Sequence, residues 1–375
     1  MDHHTIKFDK ELIQRSRYSK FQDFHNLMRY RIRDILLVSS LYDSYIFEED
    51  NRLYELIRQE YQGLNLSHSP ELINVSNGEE AIRIAKEEKR FDLIITTLHI
   101  EDMSAFTFAK KVKESGLDIP VVLLSYDNRE MTDLISTKDI SVFDKVFIWQ
   151  GDYRIVLGII KFLEDRLNVE HDTKHVGVQS IILIEDNISF YSSYLPLIYT
   201  EVLKQSQSLI SEGINLSHKF LRMRARPKIL LCSSFEEGWD YFEKYEEHIL
   251  GIISDVDFTR EGKRDPQAGI LFAKKVKERK PDVPILLQST NNSIGKLASS
   301  IGATFLEKDS PTLLEDVKYF MMHHFGFGDF IFRDDDGEEV GCAQNLTELE
   351  EQLEIVPDES IRYHASRNHF SNWLK

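Results

Sequence analysis

Short apolar runs alternate with amphipathic stretches along most of the chain. SIILIE (180–185), PKILLCS (227–233), ILGIISD (249–255), VPILLQS (283–289) and ATFLEK (303–308) are rich in Ile, Val and Leu and lack polar alternation. That is the pattern of strands buried on both faces. Between them, PQAGILFAKKVKERK (266–280) sets Ile270, Ala273, Val276 and Lys277 at helical spacing, and a longer helix is expected from about Phe190 to Ile210. Strand and helix alternating five times predict a doubly wound α/β domain, a five-stranded parallel sheet covered on both faces. Ligand sites in such sheets form at the carboxyl ends of the strands, near the reversal of strand order.

The pattern occurs twice. FAKKVKESGLDIPVVLLS (108–125) returns as FAKKVKERKPDVPILLQS (272–289), GLNLSH (63–68) as GINLSH (213–218), and DILLVSS (34–40) as SIILIED (180–186). Anchors in the same order identify two copies of one domain. The expected organisation is a helical lead-in (1–30), a first copy (31–168), a polar linker (169–179), a second copy (180–326) and a small α+β tail (327–375). In the tail, DFIFRDDDGEEVGCAQ predicts a strand, a tight Asp-Gly turn and a strand. NLTELEEQLEIV predicts a helix with Asn345 as its N-cap. DESIRYHASRNHFSNWLK predicts another helix with Ile361, Ala365, Phe370 and Trp373 turned inward.

A chain of 375 residues accommodates two such domains with extras. Its net charge of -17 argues against indiscriminate binding to nucleic acid or to an anionic membrane, both of which need a basic face. The one basic run, KFLRMRARPK (219–228), is expected at an exposed loop edge. Cys232 and Cys342 are the only cysteines, so neither a disulfide framework nor a cysteine metal cluster is expected. MDHHTIKFDKELIQ has charges where a secretion signal needs an apolar run, and no apolar stretch reaches membrane-span length, so a cytoplasmic protein is expected. The pairs His323/His324 and His364/His369 are expected to play surface or capping roles.

The strand ends carry the chemistry. In the second copy the first strand ends in Glu185 and Asp186, the third in Asp255 with Asp257 two residues on, the fourth in Ser289, and the fifth in Lys308. Carboxylates gathered at one sheet edge repel each other unless a cation joins them, and Mg²⁺ is the usual hard cation for such a set. Lys308 offers a point charge and Ser289 a hydrogen bond to phosphoryl oxygens. The inferred reaction is phosphoryl transfer onto an aspartate. One Asp or Ser at a strand end means little, since loops need turn formers; five at fixed strand ends form a set.

With these motifs the sequence resembles the receiver domain of two-component response regulators, over about residues 30–325. The resemblance implies a flavodoxin-like fold for each copy and a phosphoryl group taken by Asp255 from a histidine kinase or phosphotransfer protein. It implies Mg²⁺ held by Asp186, Asp255 and the main-chain carbonyl of Asp257, with Glu185 acting through water. Ser289 and Lys308 would hold the phosphoryl oxygens, and Phe305 would be the aromatic that moves inward on phosphorylation. The loop VDFTREGKRDPQAG (256–269) is longer than the family's usual one, and Asp257 adds a charge there. The first copy has Ser39 and Ser40 for the acidic pair, Thr97 for the acceptor and Gln150 for the lysine, and keeps Ser125. It therefore resembles a pseudo-receiver, expected to serve packing, homodimer formation or regulation.

DVDFT also fits the nucleophile motif of haloacid-dehalogenase-type phosphatases, with Asp255 as nucleophile and Asp257 as general acid. Against it, Glu185 and Asp186 precede Asp255, where that pattern has no use for them, and the repeat makes the Asp255 strand the third of five. The chain is thus expected to be a phosphoacceptor rather than an enzyme. No basic recognition helix suggests DNA as the output. The tail, with LLVSSLYDSYIFEED (36–50), is similar to the region ahead of the catalytic part in bacterial phosphoenolpyruvate synthase or pyruvate, phosphate dikinase-like proteins. That similarity implies a regulatory piece whose output is either an enzyme domain beyond Lys375 or a separate partner protein.

Overall fold

Each apolar run becomes a strand, and the inner strands of both sheets are buried on both faces while the edge strands Glu71–Val75 and Thr304–Glu307 are partly exposed. In the first copy these are β1 (Asp34–Val38), β2 (Glu71–Val75), β3 (Leu93–Thr96), β4 (Val121–Ser125) and β5 (Lys145–Ile148). In the second they are β6 (Ser180–Ile184), β7 (Lys228–Cys232) and β8 (Ile249–Asp255), then, after a hairpin of β9 (Phe258–Arg260) and β10 (Lys263–Asp265), β11 (Ile285–Ser289) and β12 (Thr304–Glu307). Both sheets are parallel, in the orders β2-β1-β3-β4-β5 and β7-β6-β8-β11-β12. This is the flavodoxin-like doubly wound order, with strand direction of travel reversing between β1 and β3 and between β6 and β8. The computed structural model describes residues 27–47, 53–64, 66, 69–126, 131, 139–208, 225–334, 336–344, 346–366 and 369–374. Most of the 1–30 lead-in, GINLSH and Asn345 lie outside these residues.

The segment 169–179, expected as a polar linker, is helical over most of its length. One helix runs unbroken through Arg154–Val176 and ends on Gly177, whose φ of +72° suits a glycine. One polar face of this helix, with Glu164, Asp165, Asn168 and Asp172, is buried. Glu164, Asn168 and Asp172, four residues apart and so on one face, accept the backbone N–H groups of Ile32, Tyr30 and Met28 at 3.0–3.3 Å. A strand-like segment leading into β1 is thus paired to a ladder of side chains instead of to another strand.

The same helix joins the copies. Asp165, fully buried, receives two hydrogen bonds from the Arg226 guanidinium (2.7 and 3.0 Å), one from Tyr199 Oη (3.0 Å) and one from the backbone N–H of Ile229 on edge strand β7 (2.9 Å). Lys228, also fully buried, pairs with Asp172 at 2.9 Å. Arg226 and Lys228 end the basic run that was expected to lie exposed; they are instead the counter-charges of this interface. Reciprocally, the helix Ile188–Ser208 of the second copy covers the outer edge of β5. Ser192 Oγ accepts from Ile148 N–H at 3.0 Å, and the Tyr191 hydroxyl donates to the Val146 carbonyl. Each copy closes one open edge of the other, removing unpaired strand groups that would recruit a foreign strand. A continuous apolar core, including Leu37, Phe147 and Ile159 of the first copy and Leu183, Ile198 and Ile229 of the second, fills the space between.

The tail forms an antiparallel hairpin, β13 (Phe330–Arg333) and β14 (Glu339–Ala343), turned at Gly337 and packed with the helices Leu346–Ile355, Asp358–Ser366 and His369–Leu374. The last expected helix is therefore two. Ala365 faces solvent, and His364 is buried in its stead among Phe330, Phe332 and Phe370, accepting the Arg333 N–H at 2.8 Å. His364 is a satisfied core histidine rather than a surface or capping residue.

Removing one member of a buried charge network strands the others, at a typical cost of about 3–5 kcal/mol. Asp165→Ala is accordingly expected to lower the urea midpoint of the whole two-copy unit, read by circular dichroism and by Trp149 and Trp239 fluorescence. An unchanged midpoint would contradict this account of the interface.

Candidate functional site at the carboxyl edge of the second sheet

Because β6 and β8 are adjacent and parallel, their carboxyl ends deliver Glu185, Asp186 and Asp255 to one place. Each offers one oxygen, and the three oxygens lie within 4.8 Å of one another. Lys308, the residue after β12, reaches back across the edge and bridges two of them. Its Nζ donates to Asp255 Oδ2 at 2.6 Å and ion-pairs with Glu185 Oε2 at 2.6 Å. The Lys308 ammonium also lies 4.3 Å from the centre of the Phe190 ring. Glu185, Asp255 and Lys308 are all buried, so their mutual charges act with little screening.

Backbone groups hold the carboxylates in position. Asp255 Oδ1 accepts the Val256 N–H at 2.6 Å, and Glu185 Oε1 accepts the Asn187 N–H at 3.0 Å. The helix Ala268–Arg279 begins against the Asp255 carbonyl, and Gly269 permits this approach. A Cβ there would stand 2.2 Å from that oxygen. Ser289 is buried at the end of β11, where its Oγ accepts the Asn291 N–H at 3.1 Å. Phe305 lies half-buried on edge strand β12, its ring against Gly295. Glu185, Asp186, Asp255, Asp257, Ser289 and Lys308 therefore lie at the carboxyl ends of β6, β8, β11 and β12, with Phe305 inside β12, and Asp255, Glu185 and Lys308 are in direct contact.

Charge sets the protonation. Burial pushes the Glu185 carboxyl up to about 7, an effect that Lys308 opposes and Asp255 reinforces. Burial raises Asp186 as well, against the pull of the Arg264 guanidinium. Arg264 comes from β10 in the long loop, where a single arginine in a polar stretch reads from sequence only as an exposed charge. Its guanidinium donates to Asp186 Oδ2 (3.2 Å) and to the Asp257 carbonyl (3.1 Å), and ion-pairs with Asp257 Oδ1 (3.0 Å).

The strand register fixes the counterparts in the first copy. Val38 pairs with Thr96 as Ile184 pairs with Ser254, so Ser39, Ser40 and Thr97 stand where Glu185, Asp186 and Asp255 stand. Ser125 matches Ser289 in the same way. Gln150 does not match the lysine. Ser125 pairs with Ile148 as Ser289 pairs with Glu307, and the next residues, Trp149 and Lys308, donate their N–H to those serine carbonyls. Trp149 is the counterpart of Lys308; Gln150 lies one step on and binds Ser189 and Ser193 of the second copy. Thr97 is buried and its hydroxyl donates to the His99 carbonyl at 2.8 Å.

Glu185 yields a pH prediction. Its carboxyl titrates near 4.5 when unfolded and about 7 when folded. Between those values the folded protein holds a proton that the unfolded chain has lost, so stability falls as pH rises through that window. Glu185→Gln is expected to remove that slope, worth on the order of 1–3 kcal/mol, in urea midpoints measured from about pH 5 to 8. An unaltered slope would contradict the burial argument.

No protein-family model matches the sequence, and no curated protein matches it. Among solved structures the chain is similar to one described as a two-component system response regulator/GGDEF domain protein, at 14% identity over 76% of this chain and 96% of that one, with a TM-score of 0.33. It is similar to the signal receiver domain of a Luxo repressor protein from Vibrio parahaemolyticus, at 16% identity over 38% and 96% of the two chains and a TM-score of 0.27. It is also similar to the receiver domain of a sensor histidine kinase from Pseudomonas aeruginosa PAO1, described with magnesium in its active-site cleft, at 14% identity, 34% and 94% coverage and a TM-score of 0.25. No helix among the described residues is long and apolar enough to cross a membrane.

Proposed function

We propose that the second copy is a receiver, that Asp255 takes a phosphoryl group from a histidine kinase or phosphotransfer protein, and that the chain acts in two-component signal transduction. One observation carries this reading. A buried lysine bridges two strand-end carboxylates at the reversal of strand order, and the first copy has lost every charged member of that set while keeping the fold. A buried triad of no use would be costly to retain.

In the proposed step a carboxylate oxygen of Asp255 attacks phosphorus, the phosphorus–nitrogen bond of the donor phosphohistidine breaks, and the imidazole leaves with the electron pair. Lys308 would follow the phosphoryl oxygens, and the Ser289 hydroxyl would donate to one of them. The donor set suits Mg²⁺. Mg²⁺ takes oxygen ligands, and Glu185, Asp186 and Asp255 each bring one carboxylate oxygen to within 4.8 Å of the other two. Glu185, Asp186, Asp255 and the Asp257 carbonyl would hold the ion, which when bound neutralises charge shared by carboxylate and phosphoryl oxygens. A cation already stands in at this place, since the Arg264 guanidinium contacts Asp186 and the Asp257 carbonyl.

Phosphorylation would then act outward through β12, where half-buried Phe305 lies against Gly295, to a bound partner or an attached domain. The first copy would serve as a scaffold. The phosphatase reading fares worse, because Asp257, its required general acid, is ion-paired with Arg264.

Incubation with a small acyl-phosphate donor and Mg²⁺, followed by intact mass, is expected to add one phosphoryl group to the wild-type chain and none to Asp255→Asn. An adduct that survives in the variant, or none in the wild type, would contradict the assignment.

A further inference from the structure

The loop after Asp255 has a folded form of its own. β9 and β10 pair antiparallel, with Lys263 opposite Arg260, Arg264 opposite Thr259 and Asp265 opposite Phe258. The turn between them is Glu261–Gly262, both with positive φ (+52° and +72°), the geometry of a tight two-residue hairpin. Its base is anchored. Phe258 is fully buried in the core, Thr259 bridges to Ser234, Glu261 N–H donates to Glu236 Oε1 at 2.8 Å, and Arg260 pairs with Asp265 at 2.8 Å. From this base one side chain, Arg264, reaches the acidic cluster, and it binds Asp186 and the main-chain oxygen of Asp257.

We propose that Arg264 is a tethered cation that holds the metal position in the unphosphorylated protein, and that a divalent ion loads only by displacing it. This inference rests on the metal-site reading given above. An oxygen lone pair engaged by a guanidinium N–H is not available to ligate an ion, so the two cations compete for Asp186 and the Asp257 carbonyl. The competition is reversible because the Arg264 side chain is 61% exposed and its ion pairs are screened by water. It is also persistent, because the hairpin base is fixed and a tethered group returns at an effective concentration on the order of millimolar. The first copy supports the pairing of the two features. There the acidic pair is absent, and the corresponding loop, TLHIEDMS (97–104), is short, carries no arginine and closes with a single bridge from His99 to Ser104.

The test is binding of Mn²⁺, followed by the electron paramagnetic resonance signal of the free ion, to the full chain and three variants. Arg264→Ala is expected to bind Mn²⁺ about three- to tenfold tighter than wild type, the range set by removal of a screened ion pair. Lys263→Ala, which removes an exposed charge of the same hairpin without touching its anchors or the cluster, is expected to match wild type, and Asp186→Asn to bind more weakly. Unchanged or weaker binding by Arg264→Ala, or equal tightening in Lys263→Ala, would overturn the tethered-cation role while leaving the metal site standing. Absence of Mn²⁺ binding in wild type and Arg264→Ala alike would overturn both.

Discussion

A single carboxylate, Asp165, decides how the two halves of this protein meet. It sits on the last helix of the first copy, yet four of its hydrogen bonds come from the second: two from Arg226, one from Tyr199 and one from the β7 backbone at Ile229. A buried charge tolerates no partial solution, so this geometry fixes the second sheet against that last helix of the first copy. The reciprocal contact of Tyr191 and Ser192 with β5 follows once that docking is made. With both inner edges closed, the carboxyl end of the second sheet is left for chemistry.

The molecule thus contains two clusters of opposite design. At the interface, Asp165 and Asp172 are matched by Arg226 and Lys228 with no demand left over. At the strand ends, Glu185, Asp186, Asp255 and Asp257 are paired, among the described residues, with Lys308 and Arg264, and burial holds the Glu185 proton near neutrality. The first cluster is satisfied and structural. The second is short of positive charge, which is the condition for taking up a cation and then a phosphoryl group. The first copy has its part in the former and not the latter: Asp165 and Asp172 lie on its helix, while Thr97 and Trp149 occupy the places of Asp255 and Lys308.

The fold was legible because strands buried on both faces have few sequence alternatives, and because a repeated sequence aligns itself. Asp255, Glu185, Asp186, Ser289 and Lys308 were legible for the same reason: each closes or follows an apolar run, so topology alone brings them to one edge. What escaped reading was polar and buried. Glu164, Asn168 and Asp172 recur every fourth residue, which from sequence describes a solvated helix face. Their partners, Met28, Tyr30 and Ile32, lie more than 130 residues away. Arg226 and Lys228 were hidden within a basic run for the same reason. Gln150 was misplaced by one residue because the fifth strands of the two copies share no sequence, and only the pairing of Ser125 with Ile148 sets the count. Arg264 needed the hairpin turn at Glu261–Gly262 before its reach could be known.

The central claim is that acceptor chemistry resides in the second copy alone, at Asp255. Reductive trapping tests it most directly. After exposure to a small acyl-phosphate donor with Mg²⁺, borohydride converts an aspartyl phosphate to homoserine, and peptide mass spectrometry locates it. The account predicts homoserine at position 255 and nowhere in the first copy. Conversion at Asp257 or at any first-copy residue, or none at all, would contradict it.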